Sequence, residues 1–170
     1  MSNITEAAQL IDRLGLQPHP EGGWYAECYR SADILRQTSL AARYQGDRSV
    51  VTGIYFLLTS ESFSAFHRLQ SDEGWHFYAG NELSVYVISP KGELTVHQMG
   101  SRIEAGDTYQ AWVPAGSWFG SRVAQPGAWA LVGCTVAPGF DFEDFEMARR
   151  EDLLRKFPDH ADIIQALTRS

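Results

Sequence analysis

The sequence predicts a mainly β protein, a barrel or sandwich of short strands with short helices at its two ends. From Val50 onward the chain is a series of segments rich in β-branched and aromatic residues. Turn signals separate them at close spacing, among them Gly80-Asn81, Pro90-Lys91-Gly92, Ala105-Gly106-Asp107, Pro114-Ala115-Gly116 and Gln125-Pro126-Gly127. Many short strands so punctuated argue for a sandwich or barrel and against a parallel α/β sheet.

In chain order, residues Thr5 to Leu14 read as an amphipathic helix. Thr5 is placed to cap it, Glu6 lies in its first turn, Leu10, Ile11 and Leu14 form one apolar stripe, and Gly15 suits the left-handed C-terminal position. Pro18-His19-Pro20-Glu21-Gly22-Gly23 is too full of Pro and Gly for regular structure and leads into a strand or arm over Trp24 to Arg30. Strands are expected near 50–59, 63–69, 73–79, 83–89, 93–98, 108–113, 117–123 and 128–137, with Gly80 and Gly116 at turns that call for positive φ. A helical tail follows Pro138-Gly139: Glu143 to Lys156 carry mixed charges, and Pro158-Asp159 opens a last helix with Ile163, Ile164 and Leu167 on one side. The expectation is one domain over 1–170: helix and Pro/Gly loop in 1–22, barrel in 23–137, helical tail in 138–170.

The formal charge of −7 repels phosphate backbones, and no basic stripe is present, so nucleic acid is not an expected partner. No apolar run approaches the ~18 residues of a membrane span and no charged-then-apolar leader opens the chain, so the expected location is cytoplasmic, with no membrane partner. Cys28 and Cys134 read as free thiols, because no closely spaced cysteine framework exists.

The chemistry gathers around His67 and Glu73. A strand alternates its faces, so His67 and Leu69 point the same way, and after the Ser71-Asp72 turn the next strand can return Glu73 toward them. Imidazole plus carboxylate begins either a metal site or an acid–base pair. Trp75 and Phe77 share the face of Glu73, and Tyr55, Tyr78, Tyr86 and Tyr109 lie on predicted strands.

His67-Arg68-Leu69, Glu73 and Gly80 have the spacing of the first signature of the cupin superfamily, and Gly106-Asp107 with Pro114-Ala115-Gly116 resembles the second. Pro18 to Tyr25, His67-Arg68-Leu69, Trp75-His76-Phe77-Tyr78-Ala79-Gly80 and Val113-Pro114-Ala115-Gly116 together resemble a cupin family without assigned function, the Cupin_5 type. The resemblance implies a double-stranded β-helix, or jelly-roll barrel, usually dimeric. A typical cupin metal site uses three His and one Glu. Here His67 and Glu73 match, while Leu69 and Phe119 stand where two histidines would be. His76 or His97 are the candidates for a third ligand, yet alternation puts His76 opposite Glu73, so only a bulge would bring it inward.

No cofactor is therefore expected, with a divalent metal on His67, Glu73 and His76 as the alternative. The leading functional expectation is a small-molecule-binding cupin resembling metal-independent epimerases or isomerases of sugars or nucleotide sugars. His67 would be the base, Glu73 its orienting partner and Tyr78 the proton donor. Trp75, Phe77, Phe119 and Tyr55 would form aromatic walls, with Glu21 and Arg30 of the N-terminal arm closing the pocket. The alternatives are a metal-dependent oxygenase or isomerase, and a non-enzymatic binding or storage module. The last would have His67 and Glu73 locked to each other and no tyrosine hydroxyl free. A homodimer is expected, because the sheet edges of an open barrel invite pairing.

Overall fold

Two antiparallel sheets face each other across an apolar interior. The computed structural model describes the backbone of residues 3–169 and the side chains of 6–169. In chain order, α1 (Asn3–Arg13) is followed by β1 (Gln17–Pro18), β2 (Trp24–Arg30), β3 (Ile34–Leu35), β4 (Arg48–Ser49), β5 (Thr52–Thr59), β6 (Phe63–Arg68) and β7 (Asp72–Gly80). Then come β8 (Leu83–Ile88), β9 (Leu94–Met99), β10 (Gln110–Val113), β11 (Trp118–Arg122), β12 (Trp129–Ala137), β13 (Glu146–Met147), α2 (Arg150–Lys156) and α3 (Ala161–Ala166). One sheet runs β1-β2-β5-β12-β7-β10 and the other β13-β6-β11-β8-β9. This is the jelly roll that the resemblance to cupins implies, and a case of the barrel or sandwich that the strand spacing predicts.

Alternation decides what is buried between the sheets. Phe56, Leu58, Trp75, Phe77, Val85, Phe119 and Val132 point inward and form the main core. Outer faces are covered locally. The apolar stripe of α1 packs over Leu57, Trp129 and Leu131 of the larger sheet. Leu153, Phe157, Ile164 and Leu167 of the C-terminal helices pack on Phe66, Ile88 and Trp118 of the smaller one. Each helix thus buries one face, as amphipathic helices of a few turns must do to persist.

Three features depart from the sequence reading. Helix α1 begins at Asn3, so Thr5 lies within it and does not cap it. Residues 31–49, for which the sequence yields no assignment, contribute the β3–β4 ladder and place Arg48 in the interior. The segment after Pro138 is not helical until Arg150. It crosses the cavity mouth as a strap, makes a short 3-10 turn at Phe142–Asp144, and joins the smaller sheet as β13. The strap is pinned by Arg48, whose Nε and Nη2 donate to Asp144 Oδ2 and Oδ1 at 2.7 and 2.8 Å with both side chains buried.

Strand bulges set the geometry of the interior. The β2–β5 register slips between Glu27 and Tyr29, so Cys28 is an extra residue. The β12–β7 register slips between Leu131 and Val132, leaving Tyr78 unpaired between Phe77 and Ala79. In β6, Phe119 pairs with His67 but Ser121 pairs with Ser64, so two residues of β11 span three of β6. Each bulge reverses the inside–outside parity of the residues beyond it.

Candidate functional site

A cavity of about 340 Å³ opens at one end of the barrel. His67 and Glu73 both line it, as do Glu21 and Arg30 of the arm. Glu21 arrives there through the Pro/Gly turn. His19 N–H donates to the Gly23 carbonyl, Gly22 N–H donates to the His19 carbonyl, and Ala65 N–H donates to the Glu21 carbonyl. Gly22 has φ +113, and a Cβ there would collide with the Phe63 carbonyl oxygen, so only glycine lets the loop press this close to β6.

The bulge in β6 turns both Ser64 and His67 toward Glu21. Ser64 Oγ donates to Glu21 Oε1 at 2.7 Å, and His67 Nε2 lies 3.1 Å from Glu21 Oε2. His67 Nδ1 donates to the Ala65 carbonyl at 2.7 Å, and its ring packs on Phe119 at 4.1 Å between centroids. Both ring nitrogens are therefore committed. Burial lowers the His67 pKa to about 4, which keeps the imidazole neutral near neutral pH, and burial raises that of Glu21. The proton between Glu21 Oε2 and His67 Nε2 belongs to the pair.

Glu73 sits differently. It is buried, yet no hydrogen bond joins it to His67, the partnership the sequence reading assumes. Burial, then repulsion by Glu21 once that carboxyl ionises, push its pKa to about 8; the Cys134 thiol and the Trp75 indole N–H offset part of this. The indole N–H approaches the carboxyl but meets no acceptor in hydrogen-bond geometry. Near neutral pH Glu73 is a carboxylic acid able to give or take a proton. Burial and the two carboxyls also raise the Cys134 pKa, so its thiol stays protonated; neither cysteine is in a disulfide.

Several expected site residues lie elsewhere. Tyr78 is the extra residue of the β7 bulge and stands on the outer face, 53% exposed, against Tyr55. Tyr55 shares that outer face with the residues under α1, so neither tyrosine reaches the cavity. His76 also points outward, hydrogen-bonding Thr135 Oγ1 at 3.1 Å, and is not placed to join His67 and Glu73. Trp75, Phe77 and Phe119 are packed core behind the cavity wall and do not line it. The tyrosine that does line it is Tyr25 of β2, whose hydroxyl has no hydrogen-bond partner among the described residues. The sequence reading also gives no site role to His19, Ser64, Phe140, Phe142 or Phe145. A His and a Glu two apart in a Pro/Gly-rich turn was the available signal for His19.

At the mouth, Arg30 binds Glu27 through Nε and Nη2 at 2.9 and 2.8 Å and donates to the Phe140 carbonyl of the strap at 3.0 Å. The Cys28 bulge makes this pairing possible by putting positions 27 and 30 on one face.

The residues do not fit a bound metal. His67 Nε2 is taken by Glu21, Leu69 and Phe119 offer no donor atoms, and among the described residues no group of three His, Cys, Asp or Glu converges on one point.

Comparison with known proteins places these observations. The chain is 43% identical to a solved protein of Shewanella oneidensis, SO0799, covering 99% of both chains with a TM-score of 0.85. It is 38% identical to a hypothetical protein from Leishmania major, covering 96% of this chain and 99% of that one, TM-score 0.86. An uncharacterized protein of Saccharomyces cerevisiae, YML079W, is 29% identical over 157 residues, which are 86% of this chain and 77% of that protein. Bacillus subtilis oxalate decarboxylase, at 12% identity and TM-score 0.51 over 88% of this chain and 36% of its own, shares the fold. Residues 8–148 match the family described as Cupin superfamily (DUF985), and the chain belongs to that family.

Proposed function

We propose that the protein is a cytoplasmic enzyme that binds a small, oxygen-rich molecule in this cavity and moves a proton on it, as a metal-independent epimerase or isomerase of a sugar-type ligand does. Glu73 carries this reading: a buried carboxyl facing the cavity, unbound to His67, with a pKa of about 8. As carboxylate it takes a proton from carbon next to a carbonyl. The C–H electron pair becomes the C=C bond of an enolate, and the negative charge passes to the carbonyl oxygen. Return of the proton to the opposite face gives an epimer; return to the neighbouring carbon gives an isomer. No redox partner is needed.

His67 then supports the wall and does not act as the base, since neither of its nitrogens is free. Tyr25 takes the place the sequence reading gave to Tyr78. A tyrosine hydroxyl free of protein partners, and a Glu73 not locked to His67, favour proton transfer over a passive binding module. The cavity of about 340 Å³ lies at the small end of the usual ligand-pocket range, roughly 300–1,000 Å³, which suits one sugar ring better than a whole nucleotide sugar. A homodimer is part of the proposal. Tyr78 and Trp112 are each more than half exposed on the outer face of the larger sheet, where a second copy would cover them.

The test is deuterium wash-in. Aldoses and ketoses are incubated with protein in D2O, and loss of the C–H signal next to the carbonyl is followed by NMR. The expected rate rises with pH and levels off above about 8, following the Glu73 pKa. Glu73→Gln lowers it by about 100-fold or more. Exchange unaffected by Glu73→Gln would remove Glu73 from the reaction, whereas ligand-induced stabilisation without any exchange would make the protein a binding module.

A further inference from the structure

The proton-transfer reading leaves open which ligand group the cavity recognises, and His19 bears on it. His19 lines the cavity with its side chain 6% exposed. Its ring is held by Tyr25, edge-on at 4.5 Å between centroids, and by Phe142, stacked at 6.3 Å with 25° between planes. The Glu21 backbone N–H donates to His19 Nδ1 at 3.2 Å. An amide N–H can only donate, so Nδ1 is the acceptor and the proton of the neutral ring is on Nε2. Nε2 has no hydrogen-bond partner among the described residues.

Glu21 reinforces this arrangement. Its Oε2 lies 3.4 Å from His19 Nδ1 and 3.1 Å from His67 Nε2. His19 Nδ1 already accepts the amide, and His67 Nδ1 already donates to Ala65, so in neutral rings both nitrogens facing Oε2 are acceptors. The carboxyl between them carries the proton that satisfies the arrangement, and no carboxylate is left to draw a proton onto His19 Nδ1. Burial, which lowers the His19 pKa, agrees with a neutral ring.

We infer that His19 Nε2–H is the hydrogen-bond donor that receives the carbonyl oxygen of the ligand, and that the ligand is a small uncharged ketone or aldehyde carrying hydroxyl groups. Lack of charge follows from the mouth. Arg30 is neutralised by Glu27 in a bidentate pair, and Asp141 adds a negative charge there, so an anion meets repulsion on entry. A carbonyl oxygen is where charge develops when the neighbouring carbon loses its proton, and a fixed N–H there stabilises the enolate. His19 becomes a substrate-contacting residue and Glu21 its positioning residue. The inference rests on the proton-transfer reading only for placing the ligand in this cavity.

The experiment uses wild-type protein labelled with 15N at histidine. The spectrum first reports tautomers: His19 as Nε2–H and His67 as Nδ1–H. Dihydroxyacetone, glycerol and glycolate are then titrated in turn, as the ketone, its carbonyl-free counterpart and an anion of similar size. The expected result is a His19 Nε2–H signal that moves with dihydroxyacetone alone. His19→Phe, which keeps an aromatic ring against Tyr25 and Phe142, weakens dihydroxyacetone binding about tenfold, one hydrogen bond's worth. A His19 proton on Nδ1, a response to glycerol or glycolate equal to that to dihydroxyacetone, or no response to any of the three overturns the inference. Deuterium exchange into dihydroxyacetone with His19 unmoved would overturn it while leaving the proton-transfer reading intact. A shifted His19 with no exchange does the reverse.

Discussion

The cavity has two acidic corners of opposite character. In one, Glu21 is enclosed by Ser64, His67 and the His19 turn, with partners for both carboxyl oxygens. In the other, Glu73 is as deeply buried but has only a thiol and a poorly aligned indole N–H beside it. Both carboxyls are pushed toward the protonated form by the same cause, loss of water. They differ in what they can do next. A satisfied carboxyl is architecture; an unsatisfied one is held for a ligand.

The largest effect should come from breaking the closed corner. Glu21→Ala leaves His67 Nε2 and Ser64 Oγ buried without partners and is expected to cost about 3–5 kcal/mol of stability. Glu21→Gln still offers an N–H to His67 Nε2 and should cost nearer 1 kcal/mol. Denaturant unfolding of the two variants beside the parent measures the gap. If alanine is no worse than glutamine, the corner is not structural.

The open corner predicts a change of the opposite sign. Glu73 has a pKa of about 8 in the folded chain against 4.5 for the ordinary group. Between those values the folded chain keeps a proton that the unfolded chain loses. Its contribution is therefore fully present below about pH 4.5, falls as pH rises, and is gone above about 8. His67 runs the other way: with a folded pKa of about 4 against 6.5, its contribution is lost as pH falls from 6.5 toward 4. Glu73→Gln removes only the Glu73 contribution. The variant should be more stable than the parent by a few kcal/mol at pH 8.5, at roughly 1.4 kcal/mol per pH unit, and indistinguishable from it below pH 4.5. Thermal unfolding of both chains across this range checks it, and a Glu73→Gln chain less stable at pH 8.5 would mean that the carboxylate is well solvated in place.

His67→Gln falls between these. Its ring fills space between Phe119 and Phe145 and bonds on both sides. A loss of about 2 kcal/mol or more is expected on truncating so buried a group. The smallest effect is reserved for Tyr78→Phe. On the outer face it should change stability within about 0.5 kcal/mol and leave deuterium exchange untouched. A lost activity there would return Tyr78 to the site.

The fold was legible because period-2 patterning and turn residues survive in any jelly roll: each strand expected after Val50 is present within two or three residues of its expected limits. Gly80, with φ +95 and Trp129 pressed against it, shows how firmly such turn signals bind structure to sequence. The site was legible only in part. His67, Glu73, Glu21 and Arg30 line the cavity, whereas Tyr78, Tyr55 and His76 lie on the outer face of the sheet. Plain alternation from the inward-facing Glu73, Trp75 and Phe77 already puts His76 and Tyr78 on the outer face, and the bulge at Tyr78 does not reverse it. His19 and Ser64 depend on a loop folding back onto β6, a contact between residues 43 positions apart for Glu21 and Ser64. The strap was missed because charged residues such as Asp144 read as a solvated surface until Arg48 is known to be inside.

The Cys28 bulge has a consequence for how such a barrel can diversify. Deleting Cys28 would leave Glu27, Tyr29 and Arg30 in plain succession opposite Ile54, Gly53 and Thr52, the partners they already have. The rim pair of Glu27 and Arg30 would keep its face, and only the local kink would be lost. A lineage could thus gain or lose a single codon here and keep its charged gate.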